Sequence, residues 1–202
     1  NPHIAYFDYN YGDLEYTYCT NTCSSASSWI KQTLDSSGYV GEYPDIALDQ
    51  YGQVHVSYYN DSSDDAQYVI IHDGVARSSE IVQVGSHNYQ TGYAVDSSGR
   101  IHLSFYNGSD TSGSLHYAVL SGKSWAVTVV DDSSAKVGAY SALTLDGSER
   151  PHISYLDSAN GNLRYAYYDS ISWVITTVDS SGTVGGFTSI ANDANGRPRI
   201  AY

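Results

Sequence analysis

Four histidines return at nearly even spacing along this chain, each inside the same short phrase: Pro2-His3-Ile4-Ala5-Tyr6, Val54-His55-Val56-Ser57-Tyr58, Ile101-His102-Leu103-Ser104-Phe105 and Pro151-His152-Ile153-Ser154-Tyr155. A fifth copy, Pro198-Arg199-Ile200-Ala201-Tyr202, carries arginine instead. Imidazole can ligate a metal or move a proton near neutral pH. Equivalent residues of successive repeats do not converge on one reacting atom, however. Arginine in the fifth copy can donate a hydrogen bond but cannot hold zinc. Alternation along a strand puts each His on one face with the Ser or Ala two residues on, and the Ile and Tyr on the other. The expected role of His3, His55, His102 and His152 is therefore structural. Each packs against a neighbouring unit and bonds a strand or turn group, with the Asp of a Leu-Asp turn as a candidate partner.

Trp29, Trp125 and Trp173 recur in the same way, each six residues ahead of an Asp (Asp35, Asp131, Asp179). An aromatic repeated once per unit can stack on a sugar ring, so these three are the candidate ligand-binding residues. Filling the space between units is the competing and more economical role. The same two readings apply to the Tyr-rich strands, since the chain holds 21 Tyr against 3 Phe and 3 Trp.

Carboxylates are plentiful but not arranged for chemistry. Of 22 acidic residues 18 are Asp, a turn former through hydrogen bonds to its own backbone. A glycosidase needs two carboxylates facing each other across a cleft, and among so many Asp no pair stands out. The acidic loops 60–65 and Asp131-Asp132 offer oxygen to Ca²⁺ but lack a calcium-loop spacing. Solvated turns are expected, with no cofactor and no metal site. The arginines (Arg77, Arg100, Arg150, Arg164, Arg197, Arg199) sit at turn or repeat positions and form no cluster along the chain. No nucleophile elbow, phosphate-binding glycine loop, zinc-protease motif or dinucleotide fingerprint occurs.

Cys19 and Cys23 are the two cysteines. A local disulfide is the leading reading and a pair of reduced thiols the alternative. Two Asn-x-Ser sequons, at Asn60 and Asn107, fall at equivalent turns after a His strand, where they are expected to be exposed and open to glycosylation. Nine Lys and Arg against 22 acids give a net charge of −13, which repels phosphate backbones and anionic lipid surfaces. Nucleic acid is excluded as a partner, and no apolar run reaches membrane-spanning length.

The elements that must position these residues follow from the repeat itself. The His phrases are 52, 47, 50 and 47 residues apart. A second phrase keeps step with them (Leu14-Glu15-Tyr16, Ala66-Gln67-Tyr68, Leu115-His116-Tyr117, Leu163-Arg164-Tyr165), and the Trp phrase follows it except in the second repeat. A fourth phrase ends in Asp49, Asp96, Asp146 and Asp193, three of them opening Asp-x-x-Gly turns, while the third has Glu149 where Gly falls elsewhere. Each repeat thus offers four short strands rich in Val, Ile, Thr and Tyr, divided by turn residues. Four antiparallel strands in a tandem unit of this length make a propeller blade. The expectation is an all-β propeller with four blades represented, in repeats 1–53, 54–100, 101–150 and 151–197 and the start of a fifth at 198–202.

These phrases resemble the propeller repeats of large secreted or surface proteins of bacteria and archaea, and more loosely the sialidase-like (BNR) superfamily. The complete Asp-box of sialidases is absent. That superfamily holds lectins, adhesins and hydrolases, so the resemblance implies a fold and a secreted or cell-surface location more than an activity. The expected function is a non-catalytic extracellular binding or structural module that meets a glycan or protein partner through its loops. The alternative is part of a secreted hydrolase or lyase acting on polysaccharide. The chain opens on the second strand of a unit and stops on its equivalent, so further blades or self-association are expected to complete a ring.

Overall fold

Strands of four to nine residues form wherever Val, Ile, Tyr and Thr run between Asp-, Ser- and Gly-rich turns. In the computed structural model the chain is described over residues 1–63, 65–72, 75–82, 91–121 and 124–202, with the backbone alone for 75–82 and 121. Seventeen strands are present among these residues, with no α-helix. The first sheet holds β1 (His3–Asp8), β2 (Asp13–Cys19) and β3 (Trp29–Asp35). The second holds β4 (Val40–Leu48), β5 (Val54–Asn60), β6 (Asp65–His72) and β7 (Val75–Val82). The third holds β8 (Gly92–Val95), β9 (Ile101–Gly108), β10 (Gly113–Ser121) and β11 (Ser124–Asp131), and the fourth β12 (Val137–Leu145), β13 (Pro151–Asp157), β14 (Asn162–Tyr168) and β15 (Trp173–Asp179). A final pair joins β16 (Ser189–Asn192) to β17 (Pro198–Ala201).

Every sheet is an antiparallel meander, and the sheets serve as blades 1 to 5 of a β-propeller. The first strands β4, β8, β12 and β16 touch in succession and form the inner wall. Blades 2 to 5 take their first strand from the tail of one sequence repeat and the rest from the next, so the His phrase, or its Arg199 copy, is their second strand, while in blade 1 it is the first strand present. Cys19 and Cys23 form a disulfide with Cα atoms 5.8 Å apart. It shapes the loop after β2, where the Trp29 indole donates to the Cys23 carbonyl at 3.1 Å.

Three apolar clusters fill the seams between successive blades. Leu14, Leu115 and Leu163 are wholly buried, each lying against a glycine of the following blade. A Cβ at Gly41 or Gly138 would come within 2.6 Å of the Leu backbone and one at Gly185 within 2.9 Å, and all three glycines have φ near +100°. Only glycine permits both the backbone angle and the approach.

Polar pairs cross the same seams. The Tyr58 hydroxyl donates to Asp35 Oδ2 at 2.8 Å, Tyr155 to Asp131 at 2.7 Å and Tyr202 to Asp179 at 2.8 Å. Blade 3 has Phe105 at this position, and the strand before it ends on Val82, in the register that Asp35 holds in β3. Donor and acceptor are absent together. Closer to the axis, Ser57 pairs with Thr91, Ser104 with Ser141 and Ser154 with Thr188, at 2.9 to 3.3 Å. The seam between blades 1 and 2 has Ala5 and Pro44 at those places, again losing both partners.

Two further groups knit the seams. Arg164 reaches Asp131 and Asp157, each at 2.9 Å. On the inner wall, Asp45 Oδ2 accepts the backbone N–H of Tyr93 from the next blade at 2.9 Å. Desolvation pushes the Asp45 carboxyl up to about 6, against the pull of the Ile46 and Tyr93 amides.

The exposure expected of the first sequon is overturned. Asn60 is the last residue of β5 and only 5% exposed, and its amide oxygen accepts the Ser63 N–H at 3.2 Å. The hairpin turns one residue later than the sequence suggests, which draws this side chain inward. Asn107, within β9, is half-buried. Of the acidic loop 60–65, Asp64 lies outside the described residues.

Two predictions follow from the seams. Tyr155→Phe lowers unfolding stability by about 1.5–3 kcal/mol in urea titrations, the net worth of a hydrogen bond to a charged acceptor, whereas Phe105→Tyr gives no gain because valine, which accepts nothing, holds the register position of the aspartate. Asp45 keeps its proton in the folded chain above the unfolded value of 3.8. Its contribution is therefore present at acid pH and lost as pH rises through about 6. Asp45→Asn should gain on the wild type by roughly 2–3 kcal/mol between pH 4 and pH 7.5; parallel pH–stability curves would count against the assignment.

Candidate functional site

The turn between first and second strands is built the same way in blades 2 to 5. Oδ1 of Asp49, Asp96, Asp146 and Asp193 accepts the backbone N–H groups two and four residues on, at 2.8 to 3.0 Å. Oδ2 is then free for side chains. Gln53 Nε2 reaches it at 2.9 Å, Arg100 Nε at 2.5 Å and Arg150 Nε at 2.8 Å. The repeated histidine points at the same oxygen: His102 Nε2 is 3.2 Å from Asp96, His152 3.4 Å from Asp146 and His55 3.6 Å from Asp49. In blade 5 the Arg199 guanidinium takes that place, 2.8 Å from Asp193.

An ionised carboxylate only accepts, so His102 carries its proton on Nε2, and Nδ1 accepts from the Tyr117 hydroxyl. The His3–Tyr16 and His152–Tyr165 pairs repeat this bond at 2.5 Å. His55 instead meets Tyr93 of the next blade at 3.0 Å. Desolvation would raise the Asp96 carboxyl, but its donors Ser98, Arg100 and His102 outweigh burial and hold it well below the usual range. Asp146 is held down likewise by Arg150, Ser148 and His152. Burial keeps the His55 and His102 imidazoles below their ordinary value despite the adjoining carboxylates. His55, His102 and His152 thus stand between a turn carboxylate and a tyrosine hydroxyl, and His3 keeps the tyrosine contact alone. Among the described residues no group of three or more His, Cys, Asp or Glu gathers as metal ligands.

At this turn-bearing end, between blades 3 and 4, lies a cavity of about 310 Å³. Blade 3 contributes Arg100, His102, Tyr117 and Val119, and blade 4 contributes Glu149, Arg150, Pro151, Tyr168 and Ser170. The arginine side chains are 50% and 41% exposed, so N–H groups not used on Asp96 and Asp146 face the opening. Glu149 occupies the turn position filled by Gly52, Gly99 and Gly196 elsewhere, yet it adopts the same left-handed backbone, φ +62°. Its Oε1 accepts from the Ser97 N–H at 3.0 Å and from the Ser97 hydroxyl, and its Oε2 stands 3.6 Å from Arg100 Nη2. A cavity of about 260 Å³ at the seam of blades 1 and 2 is lined by Asn1, His3, Ile46, Ala47 and Leu48.

Two of the three tryptophans stand at seams. Trp173 packs edge-on against Tyr117, centroids 5.3 Å apart, and against Tyr168 at 5.6 Å, so it buttresses two rings of the larger cavity without lining it. Trp125 meets Tyr68 of the preceding blade at 6.0 Å, and Trp29 is held over the disulfide loop. The arginines that form no cluster along the chain do group in space: Arg100 and Arg150, one repeat apart, face one opening, while the Arg77 side chain lies outside the described residues. Tyr168 belongs to the Tyr-rich strands that carry the sugar-stacking reading, whereas Tyr117 and this arginine pair have no such signal in the sequence. The available signal was Glu149 in place of a turn glycine.

The protonation of His102 is open to direct test. It should titrate below 6.5 with the proton on Nε2 in nitrogen-detected NMR, and Asp96→Asn should lower the midpoint further, because Asp96 favours the imidazolium. A midpoint at or above 6.5 would overturn this charge assignment.

No family model and no curated protein matches the sequence. Solved structures do. The fucose-recognising six-bladed lectin of Aleuria aurantia superposes with a TM-score of 0.66 at 17% identity, over 98% of this chain and 65% of the lectin. Its N224Q mutant in complex with α-methyl-L-fucoside gives 0.64 at 18%, over 98% of this chain and 64% of that one. The intramolecular trans-sialidase of Ruminococcus gnavus gives 0.53 at 15%, over 88% and 40%, and an α-L-arabinofuranosidase of Lactobacillus brevis 0.55 at 10%, over 97% and 80%. The chain spans just under two thirds of the lectin's length, and at these identities the likeness establishes the fold, a β-propeller.

Proposed function

We propose that this chain is a non-catalytic carbohydrate-binding propeller module, exported from the cell, that takes a sugar in the cavity between blades 3 and 4. The observation that carries the reading is the lining itself. Two guanidiniums fixed by Asp96 and Asp146 sit beside the rings of Tyr117 and Tyr168, and sugars are recognised by combining fixed polar groups with aromatic faces. The lectin superpositions and the disulfide, a feature of oxidising compartments, support it. A hydrolase would need a carboxyl that keeps a proton near neutral pH. The turn carboxylates Asp96 and Asp146 are held low, so neither supplies that acid, and burial raises the Tyr117 hydroxyl out of nucleophilic range.

A glycan array followed by calorimetry on the hits tests this. Gln53 keeps the turn bond in blade 2, so Arg100→Gln and Arg150→Gln preserve the fold while removing guanidinium N–H groups. Each should weaken sugar binding at least about tenfold, the worth of a charged hydrogen bond, with the thermal midpoint held. Turnover of any hit would replace this reading with the hydrolase one, and array-wide silence would end it.

A further inference from the structure

Among the described residues five other than glycine have left-handed backbones: Tyr43, Tyr140, Glu149, Ser170 and Phe187. Three of them, Tyr43, Tyr140 and Phe187, are one repeat position, inside the bulged start of an inner strand for Tyr43 and Tyr140 and just ahead of β16 for Phe187, and Tyr140 and Phe187 pack together at 4.4 Å. The remaining two, Glu149 and Ser170, both line the cavity between blades 3 and 4. Strain gathered at a cavity points to a role there. At Glu149 the comparison is internal, since the other three turns use glycine at this place.

The charges around the cavity narrow its ligand. Arg100 is bonded to Asp96 and lies 3.6 Å from Glu149, while Arg150 grips Asp146 through Nε at 2.8 Å and Nη2 at 2.6 Å. Two guanidiniums therefore face three carboxylates, in a chain of net charge −13. A carboxylate or sulfate on a sugar would need an unpaired guanidinium and finds none, and Glu149 repels it. A hydroxyl is both donor and acceptor. One hydroxyl can donate to Glu149 Oε2 while its neighbour accepts from an outward arginine N–H.

Resting on the carbohydrate-binding reading, we propose that Glu149 is the specificity-determining residue of this cavity, selecting uncharged sugars with adjacent hydroxyls and excluding those that carry a carboxylate. The test measures wild type, Glu149→Gly and Glu149→Gln by calorimetry and ligand-observed NMR. The probes are the methyl glycosides of fucose, galactose and mannose, with glucuronic acid and N-acetylneuraminic acid as acidic counterparts. Wild type should bind at least one neutral glycoside and neither acid. Glu149→Gly, which installs the residue of the other three turns, should lose about tenfold or more in neutral binding while its thermal midpoint stays within about 3 °C. Glu149→Gln should narrow the gap between neutral and acidic sugars. Wild-type preference for an acidic sugar, or unchanged affinity and selectivity in both variants, overturns the assignment of Glu149 and leaves the lectin reading standing. A wild type that binds no sugar on the array overturns both, and does so before any variant is made.

Discussion

A blade of this fold has two faces, and neither can be left to water. A four-stranded sheet gains its stability only when the next sheet covers it, so each seam must be complementary in shape and in hydrogen bonding. The chain shows this through departures that come in pairs. Where blade 3 has Phe105 for tyrosine, the preceding strand ends on Val82 rather than Asp; where blade 1 has Ala5 for serine, blade 2 has Pro44 for a hydroxyl residue. A buried hydroxyl without its acceptor costs about 1–3 kcal/mol, whereas losing both partners is nearly neutral. Paired change is what that asymmetry permits.

The same constraint explains the histidines. A turn at the end of the inner hairpin must hold the second strand at a fixed height against the next blade. Asp supplies this through two backbone bonds on one oxygen and a side-chain bond on the other. Imidazole, braced from behind by a tyrosine hydroxyl, fills the second role from within the sheet. Arg199 reaches Asp193 from the same position by a different route, so the geometry needs a donor there rather than an imidazole.

Equivalent environments select equivalent residues, which is why the strands, their order and the blade were legible in the sequence. The role of His as a donor toward the turn Asp could be read from alternation together with the arginine of the fifth copy. What escaped was whatever depends on partners one repeat away. Arg100 and Arg150 are separated by a whole repeat, and only the stacking of blades brings them to one opening. Asn60 looked like a turn residue because Asp and Ser follow it, but the hairpin pairs Asn60 with Asp65 and turns beyond it. Trp173 could not be assigned to filler or ligand, because a strand-start aromatic looks alike in both roles. In the structure it supports the cavity's rings from a neighbouring position.

Glu149 departs from the glycine of the other turns. A left-handed backbone at a residue with a Cβ costs roughly 1–2 kcal/mol. Its bonds to Ser97, which is exposed, and its long contact with Arg100 return about as much: a hydrogen bond nets around 1 kcal/mol and a surface ion pair between 0 and 1. Stability therefore gives little reason to prefer Glu over the glycine of the other turns, even though Ser97, which donates to it across the seam, stands where the turns of blades 2, 4 and 5 have Gln50, Gly147 and Ala194. The proposed sugar-binding role of the cavity accounts for a carboxylate placed there beside two fixed guanidiniums.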